Sequence, residues 1–362
     1  METIKISVRQ FTILVILFSV GSSMLIIPGI IAKEAKQDAW IAAILGVGVA
    51  LLLVKLYNVV GSIEPNMTLI EIIEKVLGKW VGKIVTIAFL FFTLVTSGEF
   101  LYFVGNFMST EIMPETPILA FNILFAIVVI IGVRYGLETF ARSAEIIFPW
   151  FIVLFVLFII LISPNVEIQN IQPVLEIKTK PMLHSVLLFI SVFSLSPIVL
   201  LMIFPIAVND AQQAQKAFFK GTFIAGIILV IIITLTIVVL GTEATAHLMY
   251  PSYALAKRIE IGNFLQRIEV IMASMWIITI FFKLIIYFYA SVVGFAQLVN
   301  IKDYRPLTLP LGMIIVVLSI IVHPNIVESI QYNNGSWIPF GATFGLLLPL
   351  VLLIVAKVRK RT

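Results

Sequence analysis

The chain has 362 residues, of which 61% are hydrophobic and only 12% are charged, about half the charged fraction of an average soluble domain. Its formal net charge of +5 comes from basic residues scattered among short connections, which argues against a nucleic-acid-binding surface. The sequence contains no cysteine, which excludes disulfides and thiolate metal sites.

Apolar runs of spanning length recur along the whole chain. About 20 apolar residues cross the bilayer core as an α-helix, so these runs predict an all-α membrane protein with ten transmembrane helices in one integral membrane domain, residues 1–362. We expect the first span to be retained rather than cleaved as a signal peptide, because its apolar run reaches spanning length. The predicted spans are 11–32, 39–60, 82–109, 117–133, 145–163, 182–205, 220–241, 267–298, 307–323 and 338–356.

Polar and helix-breaking residues interrupt two of these spans. Span one contains Gly21, Ser22 and Ser23, and span six contains Ser194 and Ser196 at a comparable distance from its start. Backbone groups released from a helix inside a membrane must find partners in protein or in a water-lined cavity. Two interruptions at corresponding places in two halves therefore predict a binding site near the middle of the membrane.

The order of the spans predicts an internal symmetry. Five spans lie within residues 11–163 and five within residues 182–356. An odd number of spans in each half inverts the second half, which gives a 5+5 inverted repeat with broken helices 1 and 6. Connections predicted to be cytoplasmic contain 15 Lys and Arg residues, against 7 in the outside connections. The positive-inside rule therefore places both termini in the cytoplasm.

The breaks supply groups that suit a small zwitterion. A half-helix that begins near Ser22 points free N–H groups and a positive dipole end at the site, which favours a carboxylate. The carbonyl end of the preceding half-helix favours an ammonium group. Phe193 beside the second break and Gly98 in span three complete the predicted ligand-binding set. The alternative is that the small residues only permit close helix packing.

Spans three and eight each contain one internal charge, Glu99 and Lys283. An ionised side chain at the bilayer centre costs about 3 kcal/mol on insertion scales, so we expect each to face a cavity or a partner. Tyr102 follows Glu99 at helical spacing, and Tyr287 lies one turn after Lys283; both extend the predicted charge network. Lys283 has three possible roles: partner of Glu99, fixed charge in place of a coupling cation, or proton-titrating group.

No sequence motif indicates catalysis. The chain has no nucleotide-binding loop, no HExxH motif and no nucleophile elbow. Its three histidines, His184, His247 and His323, lack metal-ligand spacing and fall near the predicted outside face, so we expect surface positions rather than a proton relay. The sequence therefore predicts a protein that is not an enzyme and that needs neither metal nor cofactor.

Seven short segments carry a family resemblance: 6–11, 21–28, 38–41, 251–252, 262–269, 276 and 282–283. Together they resemble the B subunits of spore germination receptors. Their order and spacing extend over nearly the whole chain. That family belongs to the amino acid–polyamine–organocation superfamily, so the resemblance implies a LeuT-like fold with ten spans.

The same resemblance implies a function and a set of partners. It implies a nutrient-sensing subunit in the spore inner membrane or bacterial cell membrane, working with a membrane-anchored A subunit and a lipoprotein C subunit. The germinant, often an amino acid, would bind between spans one, three, six and eight, at Gly21, Ser22 and Ser23 with Ser194 and Ser196 opposite. The alternatives are a proton-coupled amino acid permease that uses the same site, and a scaffold that has lost ligand binding.

Overall fold

The structure is a computed structural model that describes residues 5–259 and 267–359. Part of the segment 262–269 and the last basic residues of the chain lie outside these ranges. The described residues are mainly helical, with one isolated bridge between Ile6 and Val208. The α-helices are α1 (Val8–Val20), α2 (Ser23–Ala35), α3 (Ala39–Gly61), α4 (Leu69–Leu77), α5 (Lys79–Phe107), α6 (Ile118–Tyr135), α7 (Leu137–Ile162), α8 (Thr179–Phe189), α9 (Ala211–His247), α10 (Pro251–Ala256), α11 (Val270–Leu298), α12 (Thr308–Ile321), α13 (Ile326–Asn334), α14 (Trp337–Ala342) and α15 (Leu348–Arg359).

The described residues form eight helical runs that are long and apolar enough to cross a membrane. The bent pair α12 and α13 raises this number to nine if it counts as one span. The count differs from the predicted ten because α1, with 13 residues, is too short alone, and because α2 and α3 form one continuous 39-residue run, Ser23–Gly61. The protein is thus an all-helical, multi-pass membrane protein, and the ten-span repeat stays a prediction.

Helix α9 runs further in both directions than the predicted span 220–241. Its N-terminus is capped by Asp210, whose carboxylate accepts hydrogen bonds from the backbone N–H groups of Gln212 and Gln213 at 3.0 Å. Such caps satisfy N–H groups that have no partner within the helix. Gly241, with a φ of 75°, interrupts the regular helix where the span was predicted to end.

Small residues let α1 and α3 approach α9. A Cβ atom on Gly221 would lie 2.7 Å from Val15 of α1, and a Cβ atom on Gly226 would lie 2.6 Å from Val47 of α3. Close backbone approach through glycine is a common way to pack helices in membranes. Helix α5 packs against both α11 and α12.

Both predicted helix interruptions are confirmed. Helix α1 ends where the N–H group of Gly21 donates to the carbonyl oxygen of Leu17 at 3.0 Å, and α2 begins at Ser23. After α8, the chain forms a π-helical segment, Ile190–Ser194, and then a 3₁₀-helical segment, Ser196–Met202. Both geometries depart from regular α-helical hydrogen bonding, so the second break, like the first, changes the hydrogen-bond partners of the backbone.

Candidate ligand-binding site

A small cavity lies between the two breaks. Ser22 of the first break, Ser196 of the second, Glu99 of α5 and Lys283 of α11 all line it. The space open to the centres of water molecules is ≈ 20 Å³, enough for about one water. An amino acid therefore needs side chains to move before it can enter. The remaining lining residues are Ile26, Phe100, Phe103, Val192, Asn333 and Trp337.

Lys283 connects α11 to the first break. Its Nζ donates a hydrogen bond to the Oγ of Ser22 at 3.0 Å and lies 5.2 Å and 5.6 Å from the ring centroids of Phe100 and Phe18. Aromatic faces attract an ammonium group at these distances. The lysine stem lies directly against Gly21, where a Cβ atom would be only 2.5 Å from the Cδ of Lys283. Position 21 therefore requires glycine, because the Cβ atom of any other residue would collide with Lys283.

Glu99 is 2% exposed, and its Oε1 has no hydrogen-bond partner. Tyr332 of α13 and Tyr287 of α11 lie near its carboxyl group. Among the described residues, no carboxylate lies within 4.0 Å of the Nζ of Lys283. The two charged side chains share a cavity without forming the ion pair that was one of the three roles predicted for Lys283; the other two stay open.

The remaining serines of the breaks do not line the cavity. Ser23 and Ser194 are buried, and the Oγ atom of each lacks a hydrogen-bond partner. Phe193 is also buried, with its ring centroid 5.2 Å from that of Phe189. These residues are close in sequence to residues that line the cavity but do not line it themselves. Their predicted contact with a ligand therefore stays a prediction.

Gly98, Tyr102 and Asn106 of α5 face different neighbours. A Cβ atom on Gly98 would lie 2.6 Å from the Cβ of Leu318, so this glycine lets α12 approach α5. Tyr102 packs edge-on against His323, and the Nδ2 of Asn106 donates to the hydroxyl of Tyr250 at 2.7 Å. These three residues therefore make separate contacts outside the cavity, which among the polar residues of α5 is lined by Glu99.

Tyr287 joins the aromatic surroundings of the cavity. Its ring stacks on that of Phe18 at 5.7 Å and meets the ring of Phe100 edge-on at 5.2 Å. Its hydroxyl is near Ser196 but has no well-aligned hydrogen bond. A buried hydroxyl without a partner is costly unless it serves a ligand, a water or another state of the protein.

The predicted surface position of His323 is wrong. It is 4% exposed, its Nε2 has no hydrogen-bond partner, and the rings of Tyr102, Phe103 and Tyr332 enclose it. It is buried because the chain bends by 98° between α12 and α13, which folds α13 back over the end of α12. His184 and His247 are exposed, as predicted.

Sequence reasoning missed the two cavity residues that come from the segment before the last span. Asn333 and Trp337 lie in or beside a short polar, glycine-containing stretch, which is typical of a surface connection. The only local signal was a tryptophan beside paired asparagines. Their position at the site depends on the bend after α12, which the sequence pattern does not reveal.

Tyr57 of α3 connects the second break to the last span. Its hydroxyl donates to the carbonyl oxygen of Gly345 at 2.7 Å and is 3.2 Å and 3.4 Å from those of Ser194 and Leu195. We expect Tyr57→Phe to lower the free energy of unfolding by about 1–3 kcal/mol, because buried carbonyl groups lose their donor. Thermal unfolding of the purified protein measures the loss.

The matched control for this change is Tyr135→Phe, since Tyr135 is 70% exposed. Removal of an exposed hydroxyl should leave the unfolding midpoint unchanged. Equal midpoints for the two variants would show that the Tyr57 hydroxyl does not hold the second break.

Comparison with known proteins places these features in a family. Residues 5–327 match the family model described as "Spore germination protein". Spore germination protein KB of Bacillus subtilis (strain 168) is 33% identical over 365 residues, covering 100% of this chain and 97% of the relative. Spore germination protein YndE of the same organism is 26% identical over 363 residues, with 99% and 98% coverage.

A third relative, Spore germination protein GerLB of Bacillus cereus, is 27% identical over 349 residues, covering 94% of this chain and 91% of the relative. None of these three relatives is named as an enzyme. The family match spans most of the chain, and the similarity to Spore germination protein KB covers the whole chain. These two matches confirm the resemblance drawn from the short segments. The chain belongs to the spore germination protein family.

Proposed function

We propose that the protein is the nutrient germinant-sensing membrane subunit of a spore germination receptor and binds a small amino acid in the cavity between the breaks. One observation carries this proposal: buried Glu99 and Lys283 line one cavity without pairing with each other. Buried charges are normally paired or bound to a ligand. An amino acid brings a charge of each sign and satisfies both.

The two ends of such a ligand have distinct partners. Its carboxylate would bind the Nζ of Lys283 and the hydroxyl of Ser22, close to the N-terminus of α2, where the helix dipole also favours an anion. Its ammonium group would bind the carboxylate of Glu99, which has an unpartnered oxygen. Hydrogen bonds that involve charged groups are stronger than neutral ones.

The wider architecture completes the proposal. We infer a LeuT-like arrangement of ten spans in which α1 and α2 form one broken span and the segment from α8 to Met202 forms the broken sixth span. Both termini are cytoplasmic, the location is the spore inner membrane, and the partners are a membrane-anchored A subunit and a lipoprotein C subunit. The positive-inside count and the family resemblance support this inference.

Sensing requires a ligand to favour one conformation over another. The ≈ 20 Å³ cavity is too small for an amino acid as it stands, so the binding conformation must be more open. A ligand shifts such an equilibrium only by its differential affinity for the two states. The partner subunits would read this shift as the germination signal.

Ser22 and Ser196 test the site from both breaks. Ser22→Leu and Ser196→Leu should each abolish the germination response, because leucine fills the small cavity. Thermal unfolding of the purified full-length protein with each standard L-amino acid measures binding directly, since a ligand stabilises the folded state. The control is Ser163→Leu at an exposed position. A normal response from both cavity variants would refute the site.

A proton-coupled amino acid permease is the second candidate, and a second cavity favours it. A space of ≈ 510 Å³ is lined by the charged residues Asp303 and Arg305 and reaches Met202, at the end of the broken sixth span. Transport needs a route between the midplane and one face, and in this candidate function the space forms the part of that route next to one face. Uptake of labelled amino acids into liposomes that contain only this protein, abolished by Ser22→Leu, would favour the permease over the sensor.

A further inference from the structure

One wall of the cavity comes from helices that follow the bent connection. Asn333 at the end of α13 and Trp337 at the start of α14 both line the space that also exposes Glu99 and Lys283. Both residues lie beyond residues 5–327, the part of the chain that the family model matches. The breaks and the two charged residues lie within it.

The geometry holds Trp337 firmly at the second break. Its Nε1 donates to the carbonyl oxygen of Ser191, within the π-helical segment, at 3.0 Å. Its ring stacks on that of Phe92 with centroids 6.1 Å apart, and only 5% of the residue is exposed. Asn333 is held more lightly: its Nδ2 donates to the carbonyl oxygen of Ser329 at 2.9 Å, and the residue is half-buried.

The charged residues of the site cannot distinguish one amino acid from another. Every α-amino acid carries the same ammonium and carboxylate groups, so contacts with Glu99 and Lys283 contribute equally to all of them. Discrimination must come from lining residues that meet the variable side chain. Except for the two charged residues, the side chains that line the cavity carry no formal charge.

We propose that Asn333 and Trp337 contact the side chain of the bound amino acid and select which amino acids bind. This inference rests on the proposed function. Trp337 limits the size of the ligand side chain, and Asn333 offers it an uncharged polar contact. The wild-type protein therefore prefers small, uncharged amino acids, because a second charge on the ligand would be buried without a partner.

Trp337→Leu tests the size limit. We expect the variant to bind larger amino acids better relative to small ones, with the ratio of dissociation constants shifted by at least tenfold. Binding is followed as the rise in unfolding temperature with each standard L-amino acid. Trp80→Leu is the control, because Trp80 is 82% exposed on α5; it should leave every ratio unchanged.

Asn333→Asp tests the polar contact through a gain of binding, which a misfolded variant cannot produce. A carboxylate at this position gives a basic ligand side chain the partner it lacks, so the variant should bind lysine at least tenfold more tightly than the wild type does. Asn209→Asp places the same change at an exposed position outside the cavity and should have no effect.

The outcomes separate this inference from the proposed function. If wild type is stabilised by amino acids but both variants keep its relative affinities, the selectivity role is refuted and the binding site stands. If no amino acid stabilises the wild type, or if Lys283→Met binds amino acids as tightly as the wild type does, the proposed function itself fails. If only one variant changes the relative affinities for amino acids and its control does not, the result supports a selectivity role for the residue that was changed.

Discussion

Lys283→Met is expected to weaken ligand binding while making the folded protein more stable. In the described structure the buried ammonium group has one hydrogen bond, to Ser22, and no carboxylate partner. A charge at mid-bilayer costs about 3 kcal/mol on insertion scales, and a methionine of similar shape recovers part of that cost. The lost charge-assisted contact is expected to weaken binding by about 10- to 150-fold, which corresponds to about 1.5–3 kcal/mol.

Two measurements on one purified protein check both halves of this result. Thermal unfolding without ligand should show a higher midpoint for Lys283→Met, and a given amino acid concentration should raise this midpoint much less than it does for the wild type. Lys79→Met is the control, since Lys79 is exposed at the start of α5 and lies before the predicted span 82–109, and neither quantity should change. A lower midpoint with binding intact would mean that Lys283 supports the fold and does not hold the ligand.

Gly21→Ala is expected to be the most damaging single-methyl change at the breaks. The added Cβ would lie 2.5 Å from the Cδ of Lys283 and 2.8 Å from the carbonyl oxygen of Phe18. The packed backbone at the break cannot move away easily, so the side chain of Lys283 must move and its hydrogen bond to Ser22 is lost. Overpacking of this kind costs about 1–3 kcal/mol, and we expect binding to be lost with it.

Gly48→Ala is the matched control on α3, because nothing lies within 4 Å of a Cβ atom built there. It should be neutral or stabilising by about 0.5–1 kcal/mol, since alanine has the higher helix propensity. A double-mutant cycle with Lys283→Ala then isolates the cause. If Gly21→Ala is equally harmful with and without the lysine side chain, contact with Lys283 is not the reason for this glycine.

Residues close together in the sequence had different roles once the chain was folded. Gly98 and Glu99 are adjacent, yet the glycine admits Leu318 of α12 while the carboxyl group lines the cavity. Adjacent residues of a helix point about 100° apart, so they meet different neighbours. The packing of α5 against α11 and α12 determines which of the two side chains faces the site. The sequence of α5 alone does not reveal this packing.

The sequence by itself determined the membrane class, most of the helical runs and the positions of both breaks. These follow from local properties: apolar length, small and polar residues within a span, and the low helix propensity of glycine and proline. The tertiary structure alone decided that Lys283 binds Ser22, that Lys283 and Glu99 form no ion pair, and that the segment after the bend brings Asn333 and Trp337 to the cavity. Those contacts join residues far apart in the chain, and they depend on the 98° bend after α12 and on helix packing rather than on any local pattern.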